Sequence, residues 1–156
     1  MACWAVSLSI DAAGAENKFQ AGAAKSNITP PLGLSIAGSM QDWKGTHIHD
    51  ELWARCLVLD DGANRLAIVL CDSCMIPREI FDMAKLRAQK AAGIPIENML
   101  MASTHTHSAP ASAHVFQSQP DPEYLEFLTG RIADAVQRGV NNLAPAKIGW
   151  GGGSLP

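Results

Sequence analysis

The stretch Trp53–Cys71, WARCLVLDDGANRLAIVLC, sets the architecture of this chain. Two apolar runs, Trp53–Asp60 and Arg65–Cys71, flank the turn-forming segment Asp61–Asn64. Apolar runs of this length around a Gly- and Asn-containing turn predict a β-hairpin. The second run is almost continuously apolar, which predicts a strand that is buried on both faces of its sheet.

The segments around the hairpin alternate between strand and helix patterns. We predict strands over Phe19–Ile28, Asn98–Ser103 and Ala146–Trp150, helices over Pro77–Ala92 and from Asp121 onwards, and a loop over Gly33–Asp50. This order predicts an α/β fold, with a mixed sheet, an opening β-hairpin and flanking helices. Because the last predicted strand runs into a Gly-rich segment, we expect the chain to be an incomplete portion of a larger domain.

The composition excludes several classes of protein. The chain has 156 residues, of which 47% are hydrophobic and 17% charged, and its formal net charge is -3. That length and apolar content are typical of one globular domain rather than of a disordered chain. A mildly acidic balance argues against a nucleic-acid surface, and no apolar run is long enough to predict a transmembrane helix. Four cysteines do not make a disulfide framework.

The N-terminus resembles a secretory signal. An apolar run, Ala2–Ile10, precedes the small residues Ala13-Gly14-Ala15, although no positively charged segment comes first. We interpret residues 1–15 as a partial signal peptide, which predicts a secreted or periplasmic protein beginning near Glu16. A buried first strand and an irregular extension are the alternatives.

The most informative motif is Thr104-His105-Thr106-His107-Ser108, which directly follows the predicted strand Asn98–Ser103. Residues two apart on a strand lie on the same face, so His105 and His107 are expected to point the same way. Both imidazoles could bind one metal ion, or one could bind metal while the other contacts substrate. Zinc accepts histidine nitrogen readily, and water bound to zinc becomes a nucleophile near neutral pH. We favour a metal site over a hydrogen-bonded strand end.

Other polar groups leave their roles open. His47 and His49 repeat the H-x-H spacing, and they are either solvent-facing or part of a site. Asp72 ends the predicted strand Arg65–Cys71, where it could bind metal, orient a histidine or cap a turn. Cys71 and Cys74 form a C-x-x-C, for which packing is a simpler interpretation than redox catalysis.

Several of these motifs together resemble the neutral/alkaline non-lysosomal ceramidases. The similar segments are Ala21–Gly33 (AGAAKSNITPPLG), Ile48-His49, Leu52–Arg55 (LWAR), Leu57–Gly62 (LVLDDG), Asp72, Gly93-Ile94-Pro95 and Thr104–Ser108 (THTHS). The resemblance covers roughly residues 20 to 150, and the THTHS run is its most specific part.

The resemblance implies a zinc-dependent hydrolase that cleaves the N-acyl amide of ceramide into fatty acid and sphingosine, at a membrane surface or in solution outside the cell. It implies that His105 is a zinc ligand, that His107 is catalytic or binds substrate, and that His49 lies near the substrate. Since the family's other zinc ligands and its serine region lie downstream, residues 16–156 would be the N-terminal part of an α/β hydrolase domain and inactive alone. The alternatives are another H-x-H metal-dependent amide or ester hydrolase, or a secreted binding domain without catalysis.

Overall fold

The computed structural model describes residues 19–154, so the predicted signal peptide over residues 1–15 lies outside the described residues. The strands are β1 (Gln20–Asn27), β2 (Ser35–Ile36), β3 (Trp43–Lys44), β4 (Trp53–Asp60), β5 (Arg65–Cys71), β6 (Met99–Ser103) and β7 (Ala144–Pro145). The helices are α1 (Arg78–Ala92) and α2 (Pro122–Asn141), with one 3₁₀ turn over Ile96–Asn98.

The main sheet is mixed, as predicted. Its strand order is β6-β5-β4-β1-β7, and only the β5–β6 pair is parallel. The predicted hairpin is confirmed, since β4 and β5 pair antiparallel with Asp60 opposite Arg65. An ion pair of 2.6 Å joins these two side chains beside the turn. The short strands β2 and β3 pair with each other inside the segment predicted as a loop.

Helix α2 starts, and helix α1 ends, where the sequence provides the appropriate signals. The Asp121 side chain accepts a hydrogen bond of 2.8 Å from the Tyr124 N–H, which caps the N-terminus of α2. Gly93 ends α1 in the left-handed conformation with φ of 71°. The Tyr124 hydroxyl donates to the Ile28 carbonyl at 2.9 Å, and this hydrogen bond ties α2 to the chain just after β1.

One face of the sheet carries the hydrophobic core. The inward residues of β4 and β5 pack with α1 and α2; they are Ala54, Cys56, Val58, Ala67, Val69 and Cys71. Helix α2 comes closest to the sheet at two glycines, because a Cβ on Gly22 would lie 2.1 Å from the Gly139 carbonyl oxygen. Alanine at position 22 is therefore incompatible with this packing.

The other face of the sheet is apolar and uncovered within residues 19–154. Leu57, Ile68 and Leu100 are paired in one row across three strands, and they are 39%, 38% and 63% exposed. The prediction that the Arg65–Cys71 strand is buried on both faces is wrong for this chain, since only alternate residues of β5 are buried. The Arg65–Cys71 run is almost continuously apolar because the second face of β5 is also apolar, although no described element covers it.

The last strand also differs from its prediction. The structure forms β7 at Ala144–Pro145 instead of over Ala146–Trp150, because the residues just after α2 return to pair with the start of β1. Trp150 is 89% exposed and belongs to no strand. No helix within residues 19–154 has the length and apolarity needed to span a bilayer.

Candidate metal centre

The candidate site lies where the parallel strands β5 and β6 end side by side. The Thr104 N–H donates to the Cys71 carbonyl at 2.9 Å, and the His105 N–H donates to the Ser73 carbonyl at the same distance. These bonds hold the segment after β6 against the segment after β5. Carboxyl ends of neighbouring parallel strands are the usual location of functional side chains in α/β sheets.

His105 leaves the strand in an unusual backbone conformation. Its φ is +64°, a left-handed value that is uncommon outside glycine, and β6 has ended at Ser103. The imidazole Nδ1 lies 2.8 Å from the Cys74 carbonyl oxygen. Since a carbonyl only accepts hydrogen bonds, Nδ1 carries the proton and the lone pair is on Nε2. A histidine that donates one ring N–H to a backbone carbonyl is oriented as metal-binding histidines usually are.

His107 lies directly beside the free nitrogen of His105. The two Nε2 atoms are 3.4 Å apart, and the ring centroids are 5.0 Å apart with an angle of 74° between the planes. The structure thus brings the two imidazoles together, and both residues are exposed to solvent. The strand alternation that we used to predict this is not the cause, because the left-handed turn at His105 produces it.

Gly38 is packed against the His107 side chain. A Cβ at position 38 would lie 2.4 Å from the His107 Cγ and 2.5 Å from its Cβ, and Gly38 has a φ of +107°. Both the backbone conformation and the space around it therefore require glycine. The loop between β2 and β3 therefore positions the imidazole of His107, which belongs to the loop after β6.

Cys74 is a third residue of this cluster that could hold a metal ion, and the sequence pattern did not predict it. Cys74, His105 and His107 each offer one ligand atom, and these three atoms all lie within 4.8 Å of one another. The Cys74 Sγ is 4.0 Å from the His105 Nδ1. The C-x-x-C motif marked this residue in the sequence, but nothing there indicated that it faces His105 across two loops.

A cavity of about 810 Å³ opens next to this cluster. His47, His49 and His107 all line it, so the first H-x-H motif and the second histidine of the other one meet at this cavity. The His49 side chain is 86% exposed, and its Nδ1 lies 2.7 Å from the Asp50 Oδ2. Apolar side chains form much of the wall; they include Pro30, Pro31, Leu32, Leu34, Ile36, Trp43, Ile48 and Leu52.

Asp72 has a structural role at the end of β5. Its carboxylate accepts from the Trp53 N–H at 3.0 Å and pairs with Arg55 at 2.7 Å. These contacts join β5 to β4, and Asp72 does not belong to the Cys74–His105–His107 cluster. This role, which joins the ends of β5 and β4, differs from the three that the sequence left open, namely metal binding, orientation of a histidine and capping of a turn.

The two cysteines of the C-x-x-C motif lie in different environments. Cys71 faces the main core, and Cys74 packs in a small cluster with Ala37 and Ala111. Cys56, Cys71 and Cys74 are all free thiols. Burial raises the pKa of Cys56 and of Cys71 to about 12, so both remain protonated at neutral pH.

Comparison with known proteins places the chain in a family. The N-terminal region of the neutral/alkaline non-lysosomal ceramidases matches residues 19–156. The chain belongs to this ceramidase family. A neutral ceramidase of Pseudomonas aeruginosa is 27% identical over 99% of the chain, and one of Drosophila pseudoobscura pseudoobscura is 26% identical over 83%.

Solved ceramidase structures show the same fold. The crystal structure of neutral ceramidase from Pseudomonas aeruginosa superposes on 82% of the chain with a TM-score of 0.71 and 26% sequence identity. A ceramidase complexed with C2 superposes with a TM-score of 0.68 at the same identity. The chain spans 25% and 20% of the lengths of the two sequence relatives and 22% of each solved chain. The predicted α/β fold with a mixed sheet is therefore that of the first part of a ceramidase.

Proposed function

We propose that this chain is the N-terminal part of a zinc-dependent amidohydrolase that cleaves the N-acyl amide bond of ceramide. Membership of the ceramidase family supports the reaction class. The observation that carries the metal assignment is the hydrogen bond from the His105 Nδ1 to the Cys74 carbonyl, which directs the Nε2 lone pair towards His107. A neutral imidazole with its lone pair fixed in this way is a suitable zinc ligand.

In this proposal His105 holds the cation, and His107 acts on the substrate. When bound, zinc supplies a Lewis acid that polarises the amide carbonyl and makes water a usable nucleophile near neutral pH. His107 lines the cavity, and its Nε2 lies 3.4 Å from the His105 Nε2. It is therefore placed to hydrogen-bond the substrate carbonyl or to move a proton during amide cleavage.

The cavity walls support a lipid amide as the substrate. Histidine side chains line the cavity together with proline, leucine, isoleucine and tryptophan side chains. Burial of an acyl chain against such a wall contributes about 0.8 kcal/mol for each methylene removed from water. We propose that His49, which lines the same cavity, contacts the polar head of the substrate.

The uncovered sheet face supports a larger catalytic domain. The exposed row of Leu57, Ile68 and Leu100 resembles a surface that another layer normally covers in α/β proteins. We propose that residues 16–156 pack through this face against the remainder of the catalytic domain, which supplies further zinc ligands. The chain alone should then release no fatty acid from ceramide.

The location of the protein is a separate proposal. The apolar run within residues 1–15 supports a signal peptide and therefore a secreted or periplasmic enzyme that meets its substrate at a membrane surface. N-terminal sequencing of the exported protein tests this, and cleavage near Glu16 is expected. An intact N-terminus on exported protein would contradict it.

Zinc analysis of purified variants tests the metal assignment. His105→Ala should remove the bound zinc, whereas His114→Ala, an exposed residue outside both the cluster and the cavity, should retain it. Zinc content that is unchanged by His105→Ala would overturn the assignment.

One observation favours a second arrangement in which His107 is also a ligand. Zinc–nitrogen bonds of about 2.0–2.1 Å in a tetrahedral site place two nitrogen ligands about 3.3–3.4 Å apart. The observed Nε2 separation of 3.4 Å fits that distance. His107→Ala distinguishes the two arrangements, since it should retain zinc if His107 acts on the substrate and lose zinc if His107 is a ligand.

A further inference from the structure

We propose that Ser112 is a positioning residue that holds the His105 ring with its proton on Nδ1. Among the described residues, Ser112 neither lines the cavity nor hydrogen-bonds to His105. It acts through the backbone that follows β5. The effect on the His105 ring is independent of any metal, whereas the effect on zinc binding rests on the proposed function.

Three consecutive carbonyls after β5 accept hydrogen bonds from the chain that follows β6. The Ser73 carbonyl accepts from the His105 N–H at 2.9 Å, and the Cys74 carbonyl accepts from the His105 Nδ1–H at 2.8 Å. The Met75 carbonyl accepts from the Ser112 hydroxyl at 2.6 Å. The bond to Ser112 therefore fixes the same short piece of backbone that orients the His105 ring.

The Ser112 hydroxyl lies in a buried pair of hydroxyl groups. Ser73 and Ser112 are 2% and 3% exposed, and their hydroxyl oxygens are 3.2 Å apart. Because the Ser112 proton goes to the Met75 carbonyl, the Ser112 oxygen can accept from the Ser73 hydroxyl. Removal of a buried hydroxyl leaves its partners without a hydrogen bond, which is costly. The backbone after β5 should then move to find other partners.

The backbone around Ser112 is itself anchored to β2. The Ala111 N–H donates to the Ser35 carbonyl at 2.8 Å, and the Ala37 N–H donates to the Ala109 carbonyl at 3.0 Å. These bonds fix the residues just before Ser112 independently of the segment that it supports. Ser112 is therefore a fixed point against which the backbone after β5 is held.

His105 depends on this support for two reasons. Its φ of +64° is unfavourable for a side chain other than glycine, and such a conformation persists only when surrounding contacts fix it. Its tautomer is set by the carbonyl that Nδ1 faces. If the Cys74 carbonyl turns away, the proton can move to Nε2, and a protonated Nε2 has no lone pair for a cation.

Nitrogen-15 NMR of the histidine rings tests the inference without a metal, at a pH at which the rings are neutral. The His105 signals are those that His105→Ala lacks. In the unmodified 156-residue chain, His105 should be the Nδ1–H tautomer. Ser112→Ala should raise the fraction of the Nε2–H tautomer. It should also weaken zinc binding roughly 10-fold, the lower end of the range for outer partners, since Ser112 does not touch the ring.

Ser118 provides a matched control in the same loop. It is 0% exposed, and its hydroxyl donates to the Val115 carbonyl at 2.6 Å, so its bond stays within the loop. Ser118→Ala should lose a comparable hydrogen bond and yet leave the His105 tautomer and zinc affinity unchanged. An equal effect of both variants would overturn the inference, because it would show a general loss of stability. So would an Nε2–H tautomer in the unmodified chain, a result that requires no variant to fold.

The outcomes separate this inference from the proposed function. If Ser112→Ala changes the His105 tautomer while His105→Ala leaves zinc content unchanged, the positioning role stands and the proposed function fails. If His105→Ala loses zinc while Ser112→Ala leaves the tautomer unchanged, the metal assignment stands and the positioning role of Ser112 is refuted.

Discussion

Replacement of Gly38 by alanine tests how the loop before β3 positions His107. The new Cβ would lie 2.4 Å from the His107 Cγ and 2.5 Å from the His107 Cβ. Carbon atoms in ordinary van der Waals contact are about 3.5 Å apart, so the added Cβ and the His107 side chain must separate by roughly 1 Å. Rotation of the imidazole about χ1 moves its ring atoms but not its Cβ. The backbone of one loop therefore has to shift.

Gly33 provides a matched control for this substitution. It has a φ of +90°, and a Cβ built there meets nothing within 4 Å. Gly33→Ala should therefore cost only the left-handed conformation, about 1–2 kcal/mol of unfolding free energy. Gly38→Ala should cost that amount and a further ~1–3 kcal/mol from overpacking. The backbone shift should also weaken zinc binding by roughly 10–100-fold if His107 is a zinc ligand, and should leave it unchanged if His107 acts on the substrate.

Urea unfolding and a zinc titration on both variants measure these effects. We expect Gly38→Ala to have the lower unfolding midpoint, with an unchanged slope, and to keep its zinc affinity if His107 acts on the substrate. Equal stability of the two variants would refute the argument that position 38 holds His107 in place.

Three further predictions concern the rest of the structure. Gly22→Ala, whose Cβ would lie 2.1 Å from the Gly139 carbonyl oxygen, should destabilise the fold by about 3 kcal/mol in thermal unfolding, and wild-type stability would contradict the α2–β1 contact. Because burial raises the pKa of Cys56 and Cys71 to about 12, the folded state retains protons that the unfolded chain releases above about pH 9. These thiols therefore contribute stability that is fully present below that pH and is lost as the pH rises towards 12. The free energy of unfolding measured in urea should fall with pH across this range, and it should fall less steeply in Cys56→Ala. Asp72→Ala should lower stability by about 1–2 kcal/mol through loss of its hydrogen bond and yet leave zinc affinity unchanged, whereas loss of zinc would make Asp72 a ligand.

Local sequence patterns were sufficient to predict most elements of this fold. The hairpin strands were predicted with their observed bounds, because Trp53–Asp60 and Arg65–Cys71 are apolar runs that end at polar turn residues. The N-cap at Asp121 and the left-handed Gly93 were also predictable, since each signal acts within one helical turn. The position of β7 was not, because it depends on pairing with β1 more than a hundred residues earlier in the chain.

The candidate site was predictable only in part. The H-x-H motif after an apolar strand identified His105 and His107, and their roles remain predictions. Strand alternation was the wrong reason for their convergence, since a residue with φ of +64° interrupts the extended backbone. Such a conformation at a non-glycine residue depends on the contacts around it, here the bonds to Ser73 and Cys74, and these contacts are invisible in the sequence.

The sequence by itself determined the types of element, their order and the presence of two closely spaced histidines at a strand end. Periodicity, caps and turn residues act over a few positions, so they can be interpreted without coordinates. Only the tertiary structure decided that Cys74 faces His105, that Gly38 packs on His107, and that one apolar face of the sheet is left uncovered within residues 19–154. Each of these depends on which strands become neighbours and which loops meet at their ends, and that outcome follows from packing of the whole chain.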